Sequence, residues 1–186
     1  MVKNLISKFI NYISMDSNVD KEKLVEIEFI LRVLTYEAIK IFLVLSILGV
    51  LGYFKEALVI VITMTLLKPF IGGYHEDTQI KCFIATSIIV SSILILSLSS
   101  NLSLLSCIIL NLFSIFSIYN KAPVIDERFP LTKESLIKKN RRIGICNSII
   151  LSIISIVFFR VTWISQAIAW TLLVQAMLLF NKYKKI

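Results

Sequence analysis

The sequence predicts an all-α, polytopic membrane protein with six transmembrane spans, and three observations lead there. Of 186 residues 57% are hydrophobic, with a mean hydropathy of +0.85, well above the roughly 45–50% apolar usage of a soluble domain. Charged residues make up only 17% of the chain and lie between long apolar runs rather than within them. The cations also fall on alternate loops, as positive-inside topology requires.

The same numbers exclude several classes. A net charge of +8 could suggest nucleic acid, but a nucleic-acid reader needs its cations along one folded face, so no nucleic-acid partner is expected. Three Cys and one His, with no Cys-x-x-Cys pair, cannot assemble a disulfide framework or a His/Cys metal cage within one chain. No metal and no cofactor are expected, and a zinc peptidase is ruled out.

The first 37 residues lack the uninterrupted apolar region and small-residue cleavage site of a signal peptide. Val2, Leu5, Ile6, Phe9, Ile10 and Ile13 recur at helical spacing, with Lys3, Asn4, Ser7, Lys8 and Asn11 between them. That pattern predicts an amphipathic helix lying on anionic lipid. Asp16, Ser17 and Asn18 break it. A second amphipathic stretch, Asp20 to Glu37, follows with Leu24, Ile27, Leu31 and Leu34 on one face, and serves equally well as interfacial or cytoplasmic packing helix.

A crossing helix needs about 20 apolar residues, about 17 at the least. Ala38 to Phe54 is the first candidate and Ala57 to Phe70 a short second, with Lys55 and Glu56 as the turn between them. No charge occurs from Cys82 to Tyr119, a run too long for one crossing, so it must fold back once. Ser99, Ser100, Asn101, Leu102 and Ser103 supply the break, because their side chains can satisfy turn backbone that lipid cannot. Ile143 to Phe159 and Val161 to Phe180, separated by Arg160, complete the six. With alternate loops on one side, 18 of the 20 cations share that side, Lys40 snorkelling among them, and Lys55 and Arg160 lie opposite. Both termini are therefore predicted cytoplasmic. One domain over 1–186 is expected: amphipathic 1–37, a bundle over 38–180 with loops at 68–82 and 120–142, and a basic tail at 181–186.

The loop from Lys68 to Cys82 contains the one histidine, His75, and one of three cysteines, Cys82. A cysteine nucleophile acts as thiolate, and a neighbouring imidazole can stabilise it and protonate the leaving amine. Asp77 or Thr78 can cap the third span, placing Cys82 one turn inside a helix start that favours an anion. Seven residues of unbroken helix would separate His75 from Cys82 by roughly 10.5 Å along the axis, too far for proton transfer. His75 must then precede the helix and fold back, with Gly72 and Gly73 providing a permissive bend and Pro69 ending the second span. An interfacial histidine and an inert small cysteine are the bland alternatives.

Gly72, Gly73, Tyr74, His75 and Cys82, set between two short hydrophobic spans, resemble the accessory gene regulator B (AgrB) family of bacterial membrane cysteine endopeptidases. The proline-containing segment Tyr119 to Pro123, with Asp126 and Pro130, extends the similarity. The resemblance implies His75 and Cys82 as the catalytic pair, on the cytoplasmic face of a multi-pass protein in the bacterial cell membrane. It further implies a homodimer that cleaves a short AgrD-like propeptide at the lipid bilayer and promotes its cyclisation to a thiolactone or lactone autoinducing peptide for quorum sensing. Glu76 departs from the smaller residue expected after the family histidine, and either orients His75 or faces water. Asp77 could shape the same loop. Backbone N–H groups near Thr78 to Cys82 are the expected oxyanion donors.

Between Lys121 and Arg142 lie seven cations against Asp126, Glu127 and Glu134. Positive-inside topology accounts for most of this. The sharper expectation is that Lys133, Lys138, Lys139, Arg141 and Arg142 attract the acidic end of the propeptide. Serines 87, 91, 92, 97, 99 and 100 give the third span small positions for close contact, Cys107 and Cys146 read as packing residues, and Asn111, Asn147, Gln166 and Gln175 are expected to bond between helices. Trp163 suits an outer interface, whereas Trp170 sits too deep for one. A small transporter, or a noncatalytic export or scaffold partner, is the alternative function, but the third to sixth spans carry no interior charge of the kind most conduction paths use.

Overall fold

The computed structural model describes residues 21–73, 78–124 and 134–180. The predicted interfacial helix before residue 21 and the basic tail lie outside the described residues. Among the described residues there are six α-helices and no β-strand: α1 Lys21–Val50, α2 Phe54–Ile71, α3 Gln79–Ser99, α4 Leu104–Lys121, α5 Glu134–Val157 and α6 Thr162–Leu178. The chain divides into two compact units, one ending at Ile47 and the other beginning at Leu48.

In the first unit, α1 corrects the predicted boundary at residue 38. The second amphipathic stretch and the first span form one helix of 30 residues, because no Gly or Pro interrupts the chain between Lys21 and Gly49. Ion pairs Glu28 to Arg32 and Glu37 to Lys40 run along it at helical spacing. Lys40 does not snorkel: it is only 6% exposed, with its ammonium on the Glu37 carboxylate.

The second unit opens with a turn that differs from the predicted one. Tyr53 donates its N–H to the Leu48 carbonyl and Gly52 donates to Gly49, with Gly52 at φ +88°, a Schellman close that satisfies the last carbonyls of α1. Lys55 and Glu56 therefore belong to the first turn of α2. Pro69 lies inside α2, which runs on to Ile71. Near a helix end, proline's fixed φ is compatible, and the cost is confined to the N–H that position 69 cannot donate.

Four helices are long and apolar enough to cross a membrane: the Ile30–Val50 part of α1, then α3, α4 and α5. The other two fall short for different reasons. Helix α2 carries Lys55, Glu56 and Lys68 within 18 residues, whereas α6 is an apolar helix of 17. In the four candidates only 17–28% of the most apolar window is buried. Side chains such as Phe42, Ile95, Leu112 and Ile153 are more than half exposed, the pattern of helices whose outer faces meet lipid.

Helix α6 is the centre of the second unit, packing against α2, α3, α4 and α5. Its Ala167, Ala169, Leu172 and Ala176 are fully buried, so small residues let the neighbouring backbones approach closely. The core gathers Leu67 and Ile71 of α2, Ile118 of α4, Ala122, Leu151 of α5, Ile168, Leu172 and Ala176 of α6, and Leu179. The small-residue seam is not where it was predicted. Of the serines in and just after α3 only Ser97 is buried, and the buried ones cluster instead on α4, α5 and α6 as Ser114, Ser117, Ser148, Ser152, Ser155 and Ser165.

Polar ties cross this seam. Buried Cys107 lies 3.4 Å from the Ser155 hydroxyl and 3.7 Å from that of Ser165, and Ser155 donates to the Ser165 carbonyl. Cys107 is thus a polar contact as well as a packing residue. Asn147 bonds between helices as expected, to the Leu66 carbonyl at 2.7 Å. Asn111 instead donates to Cys107 one turn back on its own helix, and Gln175 leaves its amide nitrogen without a partner. Trp170 has a role the sequence did not suggest, donating its indole N–H to Ser100 at the end of α3.

Candidate active site

The loop between α2 and α3 is rooted at residues 71–73. Ile71 is fully buried in the core, and its carbonyl accepts the N–H of Val124 at 2.9 Å. Gly72 pairs with Val124 in an isolated parallel bridge. With φ +72° and ψ −148°, Gly72 occupies a region essentially restricted to glycine. Any Cβ there would also run into the Val124 carbonyl oxygen. Gly73 is buried at φ +122°, beside the Leu178 carbonyl and the Leu179 side chain. The permissive bend expected at Gly72 and Gly73 is therefore present, and three other segments confine it.

The far end of the loop is set by Thr78, an extended residue whose side chain accepts the N–H of Lys81 at 3.3 Å. Thr78 is the cap, of the two candidates named. Cys82 donates its own N–H to the Thr78 carbonyl at 2.9 Å, closing the first helical turn, and its side chain is partly exposed. The N–H groups of Gln79 and Ile80 precede any i−4 carbonyl of α3, so they remain as helix-start donors. None of Cys82, Cys107 and Cys146 is in a disulfide. His75, Glu76 and Asp77 lie outside the described residues.

The cations of the predicted basic loop are largely helical. Lys121 ends α4, while Lys138, Lys139, Arg141 and Arg142 ride on the first turns of α5, which begins nine residues before the predicted span. Lys133 lies outside the described residues. Arg141 donates to the Tyr119 carbonyl at 3.1 Å and sits 5.4 Å from the Tyr119 ring centroid, so it ties α5 to the end of α4. Lys138 pairs with Glu134 in an exposed contact of 2.7 Å, which is worth little in water. Lys138, Arg141 and Arg142 line a shallow groove floored by Ile145 and Cys146.

Comparison with known proteins decides the family. The accessory gene regulator B family model matches residues 6–179. The chain belongs to the accessory gene regulator B family. It is 56% identical to an AgrB-like protein of Clostridium perfringens (strain 13 / Type A) over 184 residues, covering 99% of this chain and 98% of the relative. No solved structure matches it. Membership in this family, with four long apolar helices, supports a membrane-embedded protein with a role in quorum-sensing peptide processing.

Two residues at this site escaped the sequence reading. Val124 holds the loop root by its backbone, and Gly144 of α5 presses against Ile71, where an added Cβ would come within 2.8 Å of the Ile71 side chain. Gly144 carried a legible signal, a lone glycine inside an apolar helical run, which marks close approach. Val124 carried none, because a backbone bond between residues 53 positions apart leaves no local pattern.

Proposed function

We propose that this protein is a membrane cysteine endopeptidase that cleaves the C-terminal part of an AgrD-like propeptide. The observation that carries the reading is Cys82, a partly exposed thiol in the first turns of a helix capped by Thr78, in a chain that belongs to this family. Cys82 as thiolate attacks the scissile carbonyl, and His75 delivers a proton to the departing amine. The enzyme is left as a thioester. A Cys or Ser side chain of the peptide then attacks that thioester, releasing Cys82 and closing a thiolactone or lactone ring. Exchange of one thioester for another nearly conserves bond energy, so a site that limits water favours the ring over the linear acid. The donors for the tetrahedral oxyanion are the N–H groups of Gln79 and Ile80, which aim out of the start of α3.

The chain works as a six-span protein with both termini and the site on the cytoplasmic side, and as a homodimer. Helices α2 and α6 then cross with the other four, since α6 is sheltered on several sides and α2 is long enough if its charged first turn reaches the outer interface. Lys133, Lys138, Lys139 and Arg142 attract the acidic end of the propeptide.

Co-expression with the propeptide, followed by mass, tests the chemistry. Wild type should release the C-terminal fragment and give a product one water lighter than the linear acid. Cys82→Ala and His75→Ala should do neither at equal membrane abundance. Equal processing in all three moves the chemistry elsewhere and favours a transporter or scaffold. Thiol labelling of cysteines placed at Lys55 and Arg160 tests the topology, and modification from the cytoplasmic side alone overturns it.

A further inference from the structure

We propose that the backbone bridge between Gly72 and Val124 positions His75 toward Cys82, making Gly72 and Val124 positioning residues of the reaction. The inference rests on the cysteine peptidase reading above. Three features show that the bridge is built, rather than a loop that happens to pass by. The Val124 N–H is committed to the Ile71 carbonyl at 2.9 Å, and Ile71 is itself fully buried. Gly72 holds a glycine-only conformation at φ +72°, ψ −148°, of the kind that persists where surrounding structure over-determines it, often beside reacting groups. Against its α face stands the Val124 carbonyl oxygen, which is backbone and cannot rotate away. Gly144 backs Ile71 from α5, and Leu178 and Leu179 flank Gly73.

The consequence follows from chain length. His75 is three residues from Gly72 and three from Thr78, and three residues reach at most about 11 Å when extended. Cys82 lies one turn beyond Thr78, about 6 Å along the axis. Both ends of the short segment bearing His75 are therefore anchored, one by Val124 and the other by the α3 cap. Proton transfer needs heavy atoms within about 3 Å, and a misplacement of about 1 Å can cost on the order of 100-fold in rate. A shift at Gly72 too small to unfold the bundle is large on that scale.

The test is cysteine-resolved alkylation by iodoacetamide at neutral pH, on the full chain in nanodiscs, read by mass spectrometry. Exposed Cys146 calibrates the reagent, and buried Cys107 reports unfolding. Wild-type Cys82 should react at least fivefold faster than Cys82 in His75→Ala. Gly72→Ala, and Val124→Pro, which removes the bridging N–H, should both fall to the His75→Ala rate with Cys107 still protected. Val124→Ala, which keeps that N–H, should hold the wild-type rate. In the co-expression assay the first two should lower kcat more than they raise KM. Wild-type Cys82 rates in Gly72→Ala and Val124→Pro would overturn the proposal while leaving the peptidase intact. So would exposure of Cys107 in both variants, which makes the bridge a folding element only. No difference between wild type and His75→Ala would instead remove the peptidase reading and the proposal with it.

Discussion

Arg141 reaches from α5 to the last turn of α4, where its guanidinium donates to the Tyr119 carbonyl and lies over the same residue's ring. One cation of the basic segment is thus a tie between helices. Lys139 and Arg142 are exposed on neighbouring turns, with Arg142 on the rim of the groove above Cys146. Arg141→Ala should therefore lower the thermal stability of the detergent-solubilised protein by about 1 kcal/mol, the scale of a partly screened charged hydrogen bond. Lys139→Glu with Arg142→Glu should leave stability within about 0.5 kcal/mol and weaken propeptide capture, most of all at low salt. Capture that ignores both salt and charge reversal removes these cations from the substrate site.

Gly144 and Ile71 form a tight contact that can be relieved from one side. Gly144→Ala puts a methyl 2.8 Å from the Ile71 side chain and should cost about 1–3 kcal/mol. Ile71→Ala alone should cost about 2–5 kcal/mol as a core truncation. Because the two changes fill and empty the same space, the double variant should be more stable than the sum of the singles by more than about 0.5 kcal/mol. Strict additivity in a thermal unfolding cycle would show that the contact is slack.

Thr78 closes the helix turn that carries Cys82. Thr78→Val loses the acceptor and should weaken the start of α3 by about 1 kcal/mol. The local effect on cleavage should exceed the global effect on unfolding, because only the first turn frays. Thr78→Ser keeps the oxygen and should restore cleavage to near the wild-type rate. Equal loss in the Val and Ser variants in the co-expression assay would assign the defect to the methyl group rather than the cap.

The three cysteines should separate by role. Cys107→Ser and Cys146→Ser together should leave peptide release at the wild-type level, since Cys107 is enclosed by Ser155, Ser165 and Asn111, and Cys146 lies on a groove floor. Serine at 107 keeps a polar atom for those partners, so unfolding should shift by less than about 1 kcal/mol. Loss of fragment release in the double variant, with Cys82 present, would mean that a second thiol takes part.

The helical architecture was legible in the sequence because apolar run length and loop charge are local properties. The fold-back at Ser100 to Ser103, the cap at Thr78 and the bend at Gly72 and Gly73 could all be named residue by residue, since turns and caps are chosen by neighbouring atoms. Boundaries were less legible. Lys55, Pro69 and the cations of α5 each looked like loop residues, yet helix ends tolerate charge and proline where carbonyls or N–H groups are already free.

What only the tertiary structure decided is which polar atoms meet. Serines were plentiful on α3, yet the buried seam formed on α4, α5 and α6, because burial depends on which faces meet the central α6 and composition does not record that. The bridge from Gly72 to Val124 is the sharpest case: its bond is made by backbone groups that every residue other than proline carries in full, so no side-chain pattern announces it. The sequence by itself determined a helical membrane chain of the accessory gene regulator B type, with a cysteine one turn inside a helix. The fold decided what holds the loop before that cysteine, through contacts among residues far apart along the chain.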